Sequence, residues 1–242
     1  MRVAAFQAPL LQAGSMDAIG LIRTRVAQCE AQSVEVLCCP EGILGGLAKY
    51  SLLRLSLQFP RSRDGSSPCF HPSPTVPSPR LLDSQNLAMK GGTTTPAAVF
   101  QRGSVVGVYR KLHPAIRRSV YSEGFAAPVF QIGNRMFGIV ICNDSNYPKP
   151  VRQMTALGAT VLFIPTNNGI PADRDRVKIA TQTRNVDITL AVENNLWVVR
   201  ADVAGKADGL VSHGSSAIVG PGDCVLKSAQ PMAEDFIVRN IR

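Results

Sequence analysis

The chain alternates between short apolar runs and longer amphipathic stretches. Short β-branched runs predict buried strands, and apolar residues spaced three and four apart predict helices. Asp17 can cap the first helix, whose apolar face is Ile19, Ile22, Val26 and Cys29. The predicted helices are 18–32, 148–157 and 173–193, and the predicted strands are 2–8, 34–39, 97–101, 104–109, 128–132, 136–141, 160–164, 196–201, 215–219, 224–228 and 235–239. This alternation predicts an α/β sandwich.

The segment from about 52 to 96 interrupts this pattern. Between residues 60 and 80 there are six prolines and five serines. Because proline lacks a backbone donor and serine favours turns, we expect neither a central strand nor a helix in this stretch. The composition predicts an irregular or disordered segment. A length of 242 residues is ordinary for one α/β domain, so 1–242 is interpreted as a single domain.

Composition narrows the classes of function. No apolar run reaches the length of a membrane span, and the N-terminus passes straight into a strand, so we expect neither a membrane segment nor a secretory signal. The six cysteines show no metal-ligand spacing and there are only three histidines, so no metal site is predicted. We interpret the cysteines as reduced, which indicates a cytoplasmic protein.

The net charge of +9 raises the alternative of a basic nucleic-acid-binding protein. Aromatic residues make up only 6% of the chain, and no basic run is interleaved with them. We therefore expect neither a nucleic acid nor a membrane as a partner. Nucleic-acid binding is the least favoured of three hypotheses, and the other two, an active and an impaired enzyme, follow from the motifs below.

Three predicted strands end in residues that carry chemistry. Cys142 follows the run GIVI and enters a polar turn, Glu41 follows VLCCP, and Lys111 follows GVYR. Each has an ordinary alternative, because most free cysteines are inert core residues and most charges after strands are solvated. Together they supply a thiol, a carboxylate that can take its proton, and an ammonium that can stabilise an oxyanion. Active sites of layered α/β folds commonly gather at strand ends.

The chain resembles the nitrilase superfamily, the carbon–nitrogen hydrolases with a Glu-Lys-Cys triad. The matching motifs are CCPEG with Glu41, VYRKLHP with Lys111 and VICNDSNYP with Cys142, in the family's order. Other segments of the chain also match the family: RVAAFQAP, LGATVLFIPTNN, AVENNLWVVRADVAG and GSSAIVGPGDCVL. The resemblance covers roughly 1–50 and 97–242.

This resemblance implies a four-layer α-β-β-α sandwich that forms homodimers or higher homo-oligomers. It implies covalent catalysis without a cofactor: Glu41 as general base, Cys142 as nucleophile, and Lys111 with the backbone N–H of Asn143 as oxyanion donors. The implied substrates are small linear amides or N-carbamoyl compounds, with nitriles as a less common subset. Glu123 is the candidate for the family's second acid, and an exposed loop charge is an equal alternative.

Further residues near the motifs carry weaker predictions. Asn167 and Asn168 follow a strand at the expected mouth of the pocket, where they either contact substrate or form a turn. Tyr147 either lines the pocket or packs in the core, and we favour packing. The chain departs from the family at Lys149, where an acidic residue is usual, and at Leu190, where arginine is frequent. Each departure removes a charge expected to be paired inside the fold.

In the family a core strand followed by a hairpin occupies the place of 52–96. We interpret the unusual segment as a pair of compensating frameshifts, because a reading of 80–96 shifted by one base can encode a family-like strand. A genuine divergent loop is the alternative. Without this strand its neighbour would expose an edge, and the pocket would lose part of its wall. The second hypothesis is therefore a degenerate, catalytically impaired family member.

Overall fold

The computed structural model describes residues 1–12, 15–44, 80–84, 87–89, 92–115 and 122–242. The helices in these ranges are α1 (Asp17–Ala31), α2 (Pro148–Ala156) and α3 (Arg176–Asn194), with a 3-10 helix at Cys142–Asn146. The strands are β1 (Arg2–Pro9), β2 (Val36–Glu41), β3 (Arg80–Ser84), β4 (Leu87–Met89), β5 (Gly92–Thr94), β6 (Pro96–Gln101), β7 (Ser104–Arg110), β8 (Val129–Ile132), β9 (Arg135–Ile139), β10 (Ala159–Pro165), β11 (Ile170–Pro171), β12 (Trp197–Ala201), β13 (Val203–Ala207), β14 (Leu210–Ser212), β15 (Ala217–Val219), β16 (Val225–Ser228) and β17 (Asp235–Asn240).

The described strands form two large sheets and a small hairpin. The first sheet has the order β11-β14-β13-β1-β2-β3-β6-β7, with β17 also pairing with β1. Its centre is parallel, because β1 pairs with β2 and β2 with β3 in the same direction. The second sheet has the order β16-β15-β12-β10-β9-β8, and β9, β10 and β12 are parallel at its centre. The hairpin is formed by β4 and β5.

Alternating side chains on β1 and β2 bury both faces of the first sheet. One face packs against the second sheet and carries Val3, Ala5, Val36 and Cys38. The opposite face packs on α1 and carries Ala4, Phe6, Leu37 and Cys39. The outer face of the second sheet is covered by α2 and α3, which contribute Val151, Met154, Leu190 and Ala191. The layers are therefore α-β-β-α, as the resemblance implied.

A close approach between α2 and β9 fixes the strand that leads to Cys142. A Cβ atom added to Gly138 would lie 2.5 Å from Sδ of Met154, closer than a side chain can pack. Glycine at this position lets the buried Met154 lie directly on the strand. The strand and helix on either side of the candidate nucleophile are thereby held in contact.

The prediction for 52–96 is partly wrong. Within that segment 80–84, 87–89 and 92–94 form strands rather than irregular chain. β3 takes a central place, since it pairs with β2 in parallel and with β6 in antiparallel direction. The sequence as it stands therefore supplies the strand that the degenerate hypothesis assumed lost. The proline-rich stretch at 60–79 lies outside the described residues, and the frameshift interpretation stays a prediction.

Other predicted elements are confirmed within a few residues, with three differences. Asp17 begins α1 but does not cap it, because Met16 stands at the N-cap position. The predictions missed the short strands β11, β13 and β14, which carry too few apolar residues to show a period. They also missed the 3-10 helix that contains Cys142. Within the described ranges, no helix is both long and apolar enough to cross a bilayer.

Candidate active site

Cys142 lies where the chain leaves the second sheet. β9 ends at Ile139, and two further buried residues lead to Cys142, the first residue of the 3-10 helix. The φ angle of Cys142 is +45°, in the left-handed region that residues other than glycine rarely adopt. Ser145 Oγ donates to the Cys142 carbonyl over 2.7 Å and helps to hold this turn. Strained backbone of this kind persists only where the surroundings enforce it, and it is concentrated at functional sites.

Glu41 and Lys111 form a buried ion pair. Glu41 is the last residue of β2 and Lys111 follows the end of β7. Lys111 Nζ donates to Glu41 Oε1 over 2.6 Å, and the two residues are only 6% and 2% exposed. Burial alone would lower the pKa of Lys111, but the negative charge of Glu41 and the hydrogen bond to it outweigh that effect, so the pKa lies above its usual value. The ammonium is therefore a permanent cation at neutral pH.

The thiol of Cys142 lies in the field of this pair. Burial and the negative charge of Glu41 raise the pKa of Cys142. The positive charges of Lys111 and Arg200, together with a hydrogen bond from the backbone N–H of Asn167, lower it, but the net direction is upward. The resting thiol is consequently neutral, and the opposite charges of Glu41 and Lys111 both influence its pKa.

A fully buried carboxylate, Asp144, joins the nucleophile turn to the chain that carries Lys111. Its Oδ2 accepts hydrogen bonds from the Tyr109 hydroxyl at 2.7 Å, the Ile141 backbone N–H at 3.2 Å and the Leu112 backbone N–H at 3.3 Å. Its Oδ1 accepts from the His113 backbone N–H at 2.6 Å. Residues on both sides of Lys111 are thus tied to the residue two places after Cys142.

The two asparagines after β10 have different roles. Asn167 lies at the candidate site, because its Nδ2 donates to the Glu41 carbonyl over 3.3 Å and its backbone is among the groups that lower the pKa of Cys142. Asn168 points away and binds the buried carboxylate of Asp202, with its backbone N–H at 2.9 Å and its Nδ2 at 3.0 Å. Burial raises the pKa of Asp202. Asn168 is therefore held by the fold, whereas the hydrogen bond of Asn167 joins it to the strand end that carries Glu41.

A buried arginine completes the surroundings of the site, and sequence reasoning missed it. Arg200 on β12 donates from Nε and Nη2 to the Asp187 carboxylate on α3 at 2.6–3.0 Å. Its Nη1 reaches Thr166 Oγ1 at 2.6 Å and its Nη2 reaches Ser145 Oγ at 3.1 Å. The available signal was an arginine inside a predicted buried strand, because such a residue needs a carboxylate partner.

Comparison with known proteins identifies the family of this chain. The family model for carbon–nitrogen hydrolases matches residues 76–242, which include Lys111 and Cys142. The chain belongs to the carbon–nitrogen hydrolase family. The matched range also contains β3, within the segment that the sequence interpretation set apart.

Relatives of this carbon–nitrogen hydrolase include two proteins described as nitrilases. The chain is 31% identical over 158 residues to a nitrilase of Pyrococcus abyssi, and the alignment covers 60% of this chain and 56% of that protein. It is 30% identical over 140 residues to a probable nitrilase of Schizosaccharomyces pombe, with coverage of 57% and 49%. The chain spans about half the length of these curated relatives.

Solved structures show the same fold. A mutant of the amidase from Nesterenkonia sp. AN1, in which acrylamide has added to the active-site cysteine, has a TM-score of 0.79 at 21% identity and covers 100% of this chain and 93% of its own. The glutamine-dependent NAD⁺ synthetase of Acinetobacter baumannii has a TM-score of 0.79 at 19% identity, with coverage of 98% and 44%. At these identities the likeness supports the α-β-β-α architecture alone.

Among the remaining predicted residues of this hydrolase, Glu123 takes the exposed alternative, and Tyr147 differs from the favoured packing. Glu123 is exposed, although the neighbouring Gly124 donates its N–H to the Lys111 carbonyl over 2.8 Å. Tyr147 is 41% exposed rather than packed in the core, and its ring stacks on His113 with centroids 3.8 Å apart. Asn143 directly follows Cys142, and its Nδ2 donates to the His113 carbonyl over 3.0 Å.

The two positions that depart from the family pattern lie in different surroundings. Lys149 is exposed on α2, and Leu190 is buried in the apolar cluster between α3 and the second sheet. The prediction that the chain has no metal site can be compared with the structure only for the described residues. In that part of the chain, no group of three His, Cys, Asp or Glu side chains is arranged to hold a metal ion.

Proposed function

We propose that this carbon–nitrogen hydrolase, folded as one domain, cleaves the C–N bond of a small linear amide or N-carbamoyl compound through a Cys142 thioester. The observation that carries the proposal is the buried Glu41–Lys111 ion pair, 2.6 Å from Oε1 to Nζ, acting on the thiol at a strained turn. An ion pair this deeply buried costs desolvation energy, and its placement against a nucleophile gives it a chemical use.

In the first step Glu41 takes the proton of Cys142 as the sulfur attacks the carbonyl carbon. The raised pKa of the Cys142 thiol means that little free thiolate exists beforehand, so removal of the proton and attack are coupled. A carbon–sulfur bond forms, and the carbonyl π electrons move onto oxygen to give a tetrahedral oxyanion.

The oxyanion needs donors that are already in place. Lys111 supplies a permanently charged ammonium whose position is fixed by Glu41. The backbone N–H of Asn143, directly after the nucleophile, is the proposed second donor. The tetrahedral intermediate then collapses: its C–N bond breaks, the proton held by Glu41 passes to the leaving nitrogen, and ammonia or an amine departs.

The second half of the cycle regenerates the thiol. Glu41 takes a proton from water, whose oxygen attacks the thioester carbonyl. The carbon–sulfur bond breaks, and the proton returns to sulfur as the carboxylic acid leaves. These steps are assigned to side chains of this chain, and the proposal includes no cofactor. Asn167 is the proposed substrate contact, since its Nδ2 is held beside the proposed base by the Glu41 carbonyl.

The comparisons favour amides and nitriles as the compounds to test. Similar proteins carry the descriptions nitrilase, amidase and glutamine-dependent NAD⁺ synthetase, so the panel should hold aliphatic nitriles, aliphatic amides, glutamine and carbamoyl amino acids. Amides are favoured because both steps above need only attack on a carbonyl and departure of ammonia. The catalytically impaired alternative predicts no ammonia release from any of them.

The decisive experiment measures ammonia release across this panel together with the labelling of each cysteine by iodoacetamide at neutral pH. We expect release with at least one class, labelling of Cys142 far faster than of the other cysteines, and loss of both in Glu41→Gln. Cys224→Ala is the matched control, because Cys224 is a free but exposed thiol. Equal labelling of all six cysteines would refute the proposal.

Two further features belong to the same proposal. We expect a homodimer or a higher homo-oligomer, as the resemblance implies. Sedimentation at micromolar concentration tests this expectation, with a monomer as the contrary result. We also expect a reducing, cytoplasmic location, which fits the five free cysteines of the described residues. Recovery of the protein in an oxidising compartment with cysteines paired would contradict that expectation.

A further inference from the structure

Arg200 is fully enclosed beneath the candidate active site and makes contacts on three sides. It is 1% exposed, and its guanidinium lies between the second sheet and α3. Asp187 on α3 is 0% exposed and binds one edge of the guanidinium with both carboxylate oxygens. That pairing satisfies the charge but leaves Nη1 and part of Nη2 for other acceptors.

Those remaining donors reach two hydroxyl groups on different segments. Nη2 donates to Ser145 Oγ, which in turn donates to the carbonyl of Cys142 over 2.7 Å. Nη1 donates to Thr166 Oγ1 at the end of β10, and the Thr166 carbonyl accepts the backbone N–H of Glu41 over 3.1 Å. One rigid planar group is therefore connected to the nucleophile turn through Ser145 and to the base-bearing strand through Thr166.

We propose that Arg200 is a positioning residue that fixes the separation between Cys142 and Glu41 by holding Ser145 and Thr166 at a set distance from one another. The inference rests on the proposed function, because it assumes that Cys142 and Glu41 act together. Guanidinium suits this task, since its donors lie in one plane in a fixed fork, whereas a lysine ammonium could reach only one of the two sides well.

The backbone of Cys142 explains why such a support is needed. Its positive φ is unfavourable, and the turn would relax if its own contacts did not oppose relaxation. Ser145 bonds the carbonyl of Cys142 itself, so loss of the Arg200–Ser145 contact acts on the strained residue directly. A displacement of about 1 Å between reacting groups can lower a rate by about 100-fold.

The charges around Arg200 define what else a substitution would change. Asp187 and Asp202 act on it as negative groups, and Arg184 lies near Asp187, with Nη1 3.7 Å from Oδ2. The cation of Arg200 also lowers the pKa of the Cys142 thiol. Arg200 can therefore act through geometry and through charge, and the two effects can be separated by experiment.

The test leaves the Arg200–Asp187 ion pair intact and removes the two hydroxyl groups that Arg200 contacts, one at a time. Ser145→Ala and Thr166→Val are compared with Ser212→Ala, a matched control that loses a buried hydroxyl bonded to the Val203 carbonyl at 2.6 Å, outside the network. The readout is the alkylation rate of Cys142 with iodoacetamide across pH, which requires no substrate. We expect Ser145→Ala to lower this rate about tenfold at neutral pH and Ser212→Ala to leave it unchanged.

Thr166→Val should act through the base rather than through the turn. We expect Glu41→Gln to slow alkylation less in the Thr166→Val background than in the wild type, because Glu41 is already misplaced there. Arg200→Lys keeps the positive charge but loses the planar set of donors, so it should keep the wild-type pH midpoint of alkylation while its rate stays below that of the wild type. Arg200→Gln removes the charge and should raise the midpoint. Circular dichroism confirms that each variant is folded.

The outcomes separate the two claims. If Cys142 of the wild type reacts no faster than the other cysteines, both the proposed function and the role of Arg200 are overturned. If Cys142 is selectively reactive but Ser145→Ala and Thr166→Val behave like Ser212→Ala, the role of Arg200 alone is overturned. Full recovery of the rate by Arg200→Lys would likewise show that charge suffices and that the geometric role is wrong.

Discussion

Replacement of Asp144 by asparagine is the sharpest test of how the candidate site is held together. The carboxylate of Asp144 accepts four hydrogen bonds, three on Oδ2 and one on Oδ1, and it is 0% exposed. Three of the donors are backbone N–H groups, which can donate a hydrogen bond but cannot accept one. An asparagine amide has one acceptor oxygen, so at least one of those N–H groups would face an NH₂ group.

The magnitude follows from the contact that is lost. With the amide oxygen in the place of Oδ2, the NH₂ group would lie where Oδ1 now accepts the His113 N–H at 2.6 Å. Losing one charge-assisted bond in the interior costs about 1.5–3 kcal/mol, and leaving a buried donor unsatisfied costs about 1–3 kcal/mol. We expect Asp144→Asn to lower the free energy of unfolding by about 3–5 kcal/mol, a large fraction of the roughly 5–15 kcal/mol of a typical domain.

Urea unfolding followed by the fluorescence of Trp197, the single tryptophan of the chain, measures this loss. Asp235→Asn is the matched control, because its carboxylate also accepts two backbone N–H groups but lies near the surface. We expect that control to change stability by less than about 1 kcal/mol. If Asp144→Asn shifts the urea midpoint no further than Asp235→Asn, the joining role of Asp144 is wrong.

Three further predictions concern ionisation. Glu41→Gln should slow alkylation of Cys142 at neutral pH, because the proposed base is lost. The same variant should lower the alkaline pH midpoint of alkylation, because the charge of Glu41 no longer raises the pKa of the thiol. An unchanged midpoint would contradict the assigned electrostatics. Burial raises the pKa of Cys29 from 9.0 to about 12, so this thiol ionises in the unfolded chain before it does in the folded one. The free energy of unfolding should therefore fall as pH rises from 9 to 12. Cys29→Ala should make this fall with pH less steep, as measured by urea unfolding at each pH. Lys111→Met should abolish ammonia release and leave Glu41 buried without its cation, which should cost about 3–5 kcal/mol of stability. Calorimetry measures this loss, with Lys149→Met at an exposed position as the control. Near-wild-type stability would contradict a buried Glu41–Lys111 ion pair.

The linear pattern was sufficient for much of the framework because the signals it uses are local. The apolar runs of β1 and β2 correctly marked two buried strands, and the apolar run before Cys142 correctly placed it after a strand, which the structure shows to be β9 of the second sheet. The ends of β2 and β7 and the turn after β9 do bring Glu41, Lys111 and Cys142 together.

The segment containing β3 shows where composition misleads. A proline-rich stretch suggested that the whole of 52–96 lacks regular structure, yet 80–84 forms a strand between β2 and β6. A strand flanked on both sides obtains its backbone hydrogen bonds from its neighbours, so weak local propensity is overridden by the sheet. The degenerate reading depended on the absence of this strand, and the structure removes that argument.

By itself the sequence determined the layered α/β class and the three chemical groups of the candidate site, because strand periodicity and strand-end residues are properties of neighbouring positions. The tertiary structure alone decided which charges are paired and which are exposed. Asp187 and Arg200 are thirteen residues apart and on different elements, Asp144 meets a tyrosine 35 positions earlier, and Glu123 and Tyr147 face solvent. Such pairings depend on how the sheets and helices pack, and a hydrophobic pattern records only that a residue is buried, not which partner it finds there.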